Sequence, residues 1–105
     1  ILIIGSGNIV HNLRQVDFSA AAKPYAWAID FDEWVKDCLI RRDFSSLLNQ
    51  AMESKAGKLS IPTPDHWYPF LYILGASLEE DSLRFEYEGI DHASISMRSF
   101  SYGLA

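Results

Sequence analysis

The side chains best suited to holding a metal ion or moving a proton near neutral pH are the three histidines, His11, His66 and His92, because an unperturbed imidazole titrates in that range. His66 closes the run Pro62-Thr63-Pro64-Asp65-His66 and is followed by Trp67-Tyr68-Pro69-Phe70. The spacing predicts a helix start here. Thr63 can cap with its hydroxyl, Pro64 suits the first helical position, and Asp65 complements the positive end of the dipole. His66 then falls in the first turn, where the imidazolium is disfavoured and the neutral ring that a metal ligand requires is kept. The same placement also suits a plain polar residue beside a cap. His11 follows the turn Gly5-Ser6-Gly7-Asn8 and is expected just beyond the carboxyl end of a strand, the edge at which open α/β sheets bind ligands. It suits equally a side chain packed beneath the turn. Asn12 and Arg14 either orient it, meet an anionic ligand or face solvent, with solvent favoured for Arg14. His92 sits beside Asp91 in a connection and reads as a surface loop residue.

Other candidates carry less. Cys38 is the single cysteine, so there is neither an internal disulfide nor a cysteine zinc cluster, and its place among apolar residues reads as a small buried hydrophobe. Glu79-Glu80-Asp81 reads as a solvated acidic turn. Gly5 and Gly7 resemble the start of a dinucleotide-binding loop, but Val10 stands where the third glycine belongs, which argues against one.

The elements that must position the histidines follow from periodicity. Ile1 to Ile4 is a continuous apolar run, the pattern of a strand buried on both faces in a parallel sheet. Such a strand needs neighbours, and residues 1–105 are therefore expected to be the C-terminal portion of a larger α/β domain: a mainly parallel sheet flanked by helices, ending in an antiparallel hairpin. Tyr25 to Arg41 places Trp27, Phe31, Trp34, Val35 and Cys38 at helical spacing, with Asp32, Glu33 and Lys36 assigned to the opposite side and an Asp37–Arg41 pair one turn apart. Asp43 is expected to cap a second helix, Phe44 to Glu53. Ser54 to Ile61 reads as a loop around Gly57. Pro69 is expected to kink the His66 helix or to mark an irregular first turn, and Gly75 to end it. Leu83 to Glu88 alternates with period two, and Ala93 to Phe100 is a weaker second strand, joined to the first as a hairpin.

Composition excludes some functions. With 9 Lys and Arg against 14 Asp and Glu, a net charge of -5 and no basic run, binding to a nucleic-acid backbone is not expected. No apolar run reaches the roughly 18 to 20 residues of a membrane span. The hydrophobic content of 49% and the lone cysteine suit a cytoplasmic globular domain.

Taken together, Gly5-Ser6-Gly7-Asn8-Ile9-Val10-His11-Asn12-Leu13-Arg14 and Pro62-Thr63-Pro64-Asp65-His66 resemble the C-terminal half of LigB-type extradiol ring-cleavage dioxygenases, in the 4,5-DOPA branch. Pro24 to Ala28, Leu71 to Ala76 and Glu88 to Ile90 extend the resemblance along nearly the whole chain. It implies an α/β fold with one non-haem metal, Fe(II) for turnover or zinc as the bound ion. By this resemblance His66 matches a metal ligand. His11 matches the histidine beside the open metal positions, which serves either as a further ligand or as the acid/base handling the catechol proton. Two more ligands are implied in an N-terminal part outside this chain. The implied activity is cleavage of a DOPA-like catechol by dioxygen, this stretch alone being inactive; a non-catalytic metal-binding or protein-interaction relative of the same fold is the alternative. The N-terminal part of the same domain, and a second copy of the protein, are the implied partners. Trp67, Tyr68 and Trp27 are guesses at aromatic neighbours of the substrate ring.

Overall fold

The computed structural model describes residues 2–6 and 8–104. Helix α1 spans Ala26–Arg41, α2 Phe44–Asn49, α3 Lys55–Ser60 and α4 Tyr68–Ala76, with a 3₁₀ turn at Pro64–His66 ahead of α4. Four short strands follow, β1 Leu83–Tyr87, β2 Ile90–Asp91, β3 Ile95–Ser96 and β4 Ser99–Tyr102. β1 pairs antiparallel with β4, Phe85 opposite Phe100, and β2 pairs antiparallel with β3, Ile90 opposite Ser96. The two pairs nest as one interrupted hairpin.

Helix α1 forms for the reason its periodicity suggests. Ala28, Phe31, Val35, Cys38 and Leu39 are buried along one stripe. Arg42 then turns left-handed at φ 52° and donates its N–H to the Cys38 and Leu39 carbonyls, which closes the helix. Against this stripe pack Leu47 of α2, Ile61, Trp67, Phe70, Leu74 and Val10. An aromatic chain continues the core from Phe31 to Trp67, Phe70, Phe100 and Tyr102, with successive ring centroids 4.7 to 5.8 Å apart. Tyr102 ties the sheet to α1 by donating its hydroxyl to the Leu39 carbonyl at 2.9 Å. The Cys38 thiol is buried, and that burial raises its pKa, as befits an inert side chain.

Several sequence expectations need correction. The parallel sheet and its first strand are not formed among the described residues. Residues 2–6 have no regular secondary structure, and Leu2, Ile3 and Ile4 are exposed; a strand apolar on both faces needs neighbours on both sides, and no strand among the described residues lies beside it. Ile1, and Gly7 of the following turn, lie outside the described residues. Ser54 to Ile61 is a helix where a loop was expected: Ser54 caps α3 by accepting from the Gly57 N–H at 2.9 Å. Gly57 is required for packing, since a Cβ there would stand 1.7 Å from the Ala51 carbonyl oxygen. The second helix ends at Asn49, with Asp43 capping it through Ser46 as anticipated. Arg41 pairs with Asp43 at 3.3 Å, and no Asp37–Arg41 ion pair forms. Of the two expectations for Pro69 the irregular first turn holds and the kink does not, because the chain breaks into a 3₁₀ turn and a separate helix and leaves Pro69 in that helix's first turn, where its missing N–H costs little. Helix α4 runs past Gly75 to Ala76.

Candidate functional site

His11 is held at both ends of its peptide and at its ring. Its own N–H donates to the Ser60 carbonyl at 2.9 Å, at the end of α3. On the other side the chain lies against the hairpin: Asn12 N–H donates to the Ser94 carbonyl, Ser96 N–H to the Val10 carbonyl, and His11 bridges antiparallel to Ile95. The expected position at the end of a parallel strand is thus replaced by a seat between α3 and β3. Asn12 is structural. Its amide donates to the Leu59 carbonyl at 2.9 Å, its side-chain oxygen accepts the Arg14 N–H, and its backbone carbonyl accepts from the Ser94 hydroxyl. Arg14 is exposed.

His66 is the last residue of the 3₁₀ turn, closed by the Trp67 N–H donating to the Pro64 carbonyl at 2.9 Å. Thr63 makes no side-chain capping bond here. The turn is anchored by the next residue, since Trp67 is buried between Phe31 and Phe70. Trp67 is therefore core. Tyr68 is exposed, and Trp27 stacks on Tyr25 with centroids 5.4 Å apart.

These two seats, 55 positions apart in sequence, bring the rings together. The His11 and His66 centroids are 4.3 Å apart, stacked with an interplanar angle of 29°. His11 Nδ1 lies 3.0 Å from the Asn8 carbonyl, and its Nε2 is buried without a hydrogen-bond partner. Burial is the largest influence on its pKa and lowers it; the neighbouring His66 lowers it further, and the Asn8 and Thr63 carbonyls act in the opposite direction without prevailing. The Thr63 carbonyl acts at close range, although outside hydrogen-bond geometry to Nε2. Burial therefore favours the neutral ring. His66 remains partly exposed, with the exposed Asp65 3.9 Å from its Nε2.

A neutral imidazole with a bare buried nitrogen is a suitable donor for a first-row metal, so His11 and His66 fit such an ion in donor type. They supply two donors. Among the described residues no group of three or more His, Cys, Asp or Glu converges on one point. An open cleft of about 1130 Å³ passes His66, Asn8, Phe70, Ile73, Met97 and Arg98, room for a small aromatic molecule beside the His66 ring. His92 takes no part: it is exposed, turns left-handed at φ 51° and packs on Phe18 with centroids 4.8 Å apart.

One group near the site escaped the sequence reading. Asp32, assigned to the solvent side of α1, is buried and accepts from Ser96 Oγ at 2.6 Å, Arg98 Nε at 3.0 Å and Arg98 Nη2 at 2.6 Å. Arg98 also meets Glu88, which is paired in turn with Lys36 at 2.8 Å. Two signals were present. Asp32 lies beside Leu39 on the helical wheel, at the edge of the buried arc, and Arg98 shares the parity of Ser96 and Phe100 in the strand pattern.

No family model matches the chain. A protein of Escherichia coli K12 named 4,5-DOPA dioxygenase extradiol is 40% identical over 106 residues, an alignment covering 98% of this chain and 39% of the relative. The protein of that name from Portulaca grandiflora is 30% identical over 105 residues, covering 97% of this chain and 38% of the relative. The chain thus spans under two fifths of the length of these relatives. The crystal structure of an uncharacterized protein from Escherichia coli K12 superposes with a TM-score of 0.80 at 39% identity, over 90% of this chain and 39% of that one. Among the described residues no helix is long and apolar enough to cross a membrane.

Proposed function

We propose that this chain, a homologue of the 4,5-DOPA extradiol dioxygenases along nearly all of its length, forms the C-terminal part of an aromatic ring-opening domain that cleaves a catechol. In this reading His66 and His11 belong to a non-haem metal site, with iron(II) for turnover or zinc as the bound ion, and the remaining ligands come from a part of the protein outside this chain. The observation that carries the proposal is the buried, unpartnered Nε2 of His11, stacked beside His66. A bare polar atom in that position is costly unless something binds it.

The bound metal would supply a positive centre at which a catecholate and dioxygen are held side by side. The rest falls to the chain's own residues. His66, on a turn anchored by buried Trp67, holds its ring at the edge of the cleft and acts as a ligand. His11 has one lone pair to offer, because Nδ1 is engaged with Asn8. That lone pair serves as a ligand or accepts a catechol hydroxyl proton, and it cannot do both at once. The lowered pKa of His11 keeps the lone pair available at neutral pH for either task. Phe70 and Ile73 line the cleft with apolar surface suited to the flat face of a substrate ring.

The test uses the whole protein, loaded with iron, in an oxygen-uptake assay with a panel of catechols. His66→Ala is expected to lose bound metal, and His11→Ala to lose mainly turnover, at least about a hundredfold. Normal metal content and activity in both variants would refute the assignment. Metal binding with no oxygen uptake on any catechol would favour a non-catalytic relative.

A further inference from the structure

We propose that Asn8 is a positioning residue for His11: anchored on Ser96, it presents its backbone carbonyl to His11 Nδ1 and so reserves Nε2 as the bare nitrogen of the stacked histidine pair. The proposal rests on the function above only for the use to which that nitrogen is put.

The chemistry is a choice of tautomer. A carbonyl oxygen can only accept, so the 3.0 Å contact between His11 Nδ1 and the Asn8 carbonyl requires the proton on Nδ1. A neutral imidazole has a single ring proton, and Nε2 is then unprotonated. The alternative is close at hand. The Thr63 carbonyl influences the same ring and is a candidate acceptor for a proton moved to Nε2. Which tautomer prevails depends on how firmly the Asn8 carbonyl is held.

It is held through a continuous run of bonds to α1. Asn8 Nδ2 donates to the Ser96 carbonyl at 2.8 Å. Ser96 donates its N–H to the Val10 carbonyl at 3.0 Å and its hydroxyl to Asp32 at 2.6 Å. Asp32 is gripped by the guanidinium of Arg98 through two parallel bonds, a fork that fixes orientation as well as charge. The buried ion pair thus holds β3, β3 holds Asn8, and Asn8 sets the ring. Partners of the second imidazole nitrogen fix ring orientation and basicity at metal sites, and their loss typically costs 10- to 100-fold in affinity.

The experiment compares the whole protein with Asn8→Ala and with Asn8→Asp, which keeps the size and loses the N–H donor. Metal-free samples labelled with ¹⁵N-histidine are examined at about pH 8, where neutral tautomers dominate, by long-range proton–nitrogen correlation. The unmodified protein is expected to show His11 protonated on Nδ1, and the variants a mixture with Nε2–H. Zinc affinity by competition titration should fall about tenfold or more in the same variants. A His11 protonated on Nε2 in the unmodified protein overturns the proposal without any variant. So do variants that keep both the tautomer and the zinc affinity. A protein with the expected tautomer but no affinity for zinc or iron would instead refute the functional reading and leave the positioning role standing.

Discussion

Replacing Asp32 by alanine should be among the most damaging single changes in this chain, and the structure sets its size. The side chains of Asp32 and Arg98 are 6% and 2% exposed, and the carboxylate accepts three hydrogen bonds, one from Ser96 and two from Arg98. Its removal strands a buried guanidinium and a buried hydroxyl. Breaking a buried pair by deleting one partner costs about 3 to 5 kcal/mol. The lower end applies here, about 3 kcal/mol, because Arg98 keeps Glu88 as a half-exposed ion partner. A domain of this size has a total stability of about 5 to 15 kcal/mol, so the loss is a large fraction. The assay is urea unfolding of the whole protein, comparing Asp32→Ala, Arg98→Met and the double variant by linear extrapolation. The double variant leaves no unpaired charge behind, so it should be no less stable than Asp32→Ala alone. A loss below about 1 kcal/mol for Asp32→Ala, or strictly additive effects in the double variant, would refute the reasoning.

Gly57→Ala should destabilise by about 3 kcal/mol or more, since the new Cβ would lie 1.7 Å from the Ala51 carbonyl oxygen and only the backbone can yield; urea unfolding reads this directly. Asp43 carries a pH signature. Its bonds from Ser46, side chain first and then backbone, lower its pKa below the ordinary 3.8, so the stability it contributes is in place above that value and is lost as pH falls through the lowered folded value. Asp43→Asn keeps a capping oxygen and removes the charge, and its stability should therefore fall less between pH 6 and pH 3 than that of the unmodified protein, as followed by circular dichroism. His92 occupies a left-handed turn position at φ 51°, a conformation that asparagine visits routinely; His92→Asn should preserve or slightly raise the thermal midpoint and leave metal binding untouched.

Much of the local architecture was legible in the sequence because it depends on near neighbours. The stripe from Trp27 to Cys38, the Asp43 cap and the alternation from Leu83 to Glu88 each express a period or a capping geometry spanning a few residues. Where the reading failed locally, a weak signal competed with a strong one: Gly57 suggested a loop, but Ser54 capped a helix in which that glycine allows close packing. The run Ile1 to Ile4 is a different case. Its pattern is that of a buried strand, yet pairing depends on neighbours far away in the chain, and its described residues are exposed and unpaired.

By itself the sequence supplied the residue types suited to such chemistry, three histidines with a single cysteine and no basic run to compete with them. Only the tertiary structure decided that His11 and His66 stack at 4.3 Å, that one nitrogen of His11 is spoken for by Asn8 and the other is bare, and that Asp32 turns inward to meet Arg98. The physical reason is range. Helix caps and periodicities act over one or two turns, whereas the contacts that set the state of His11 join residues 8, 11, 66 and 96, and these come together only when α3, the 3₁₀ turn and the hairpin pack on the α1 core.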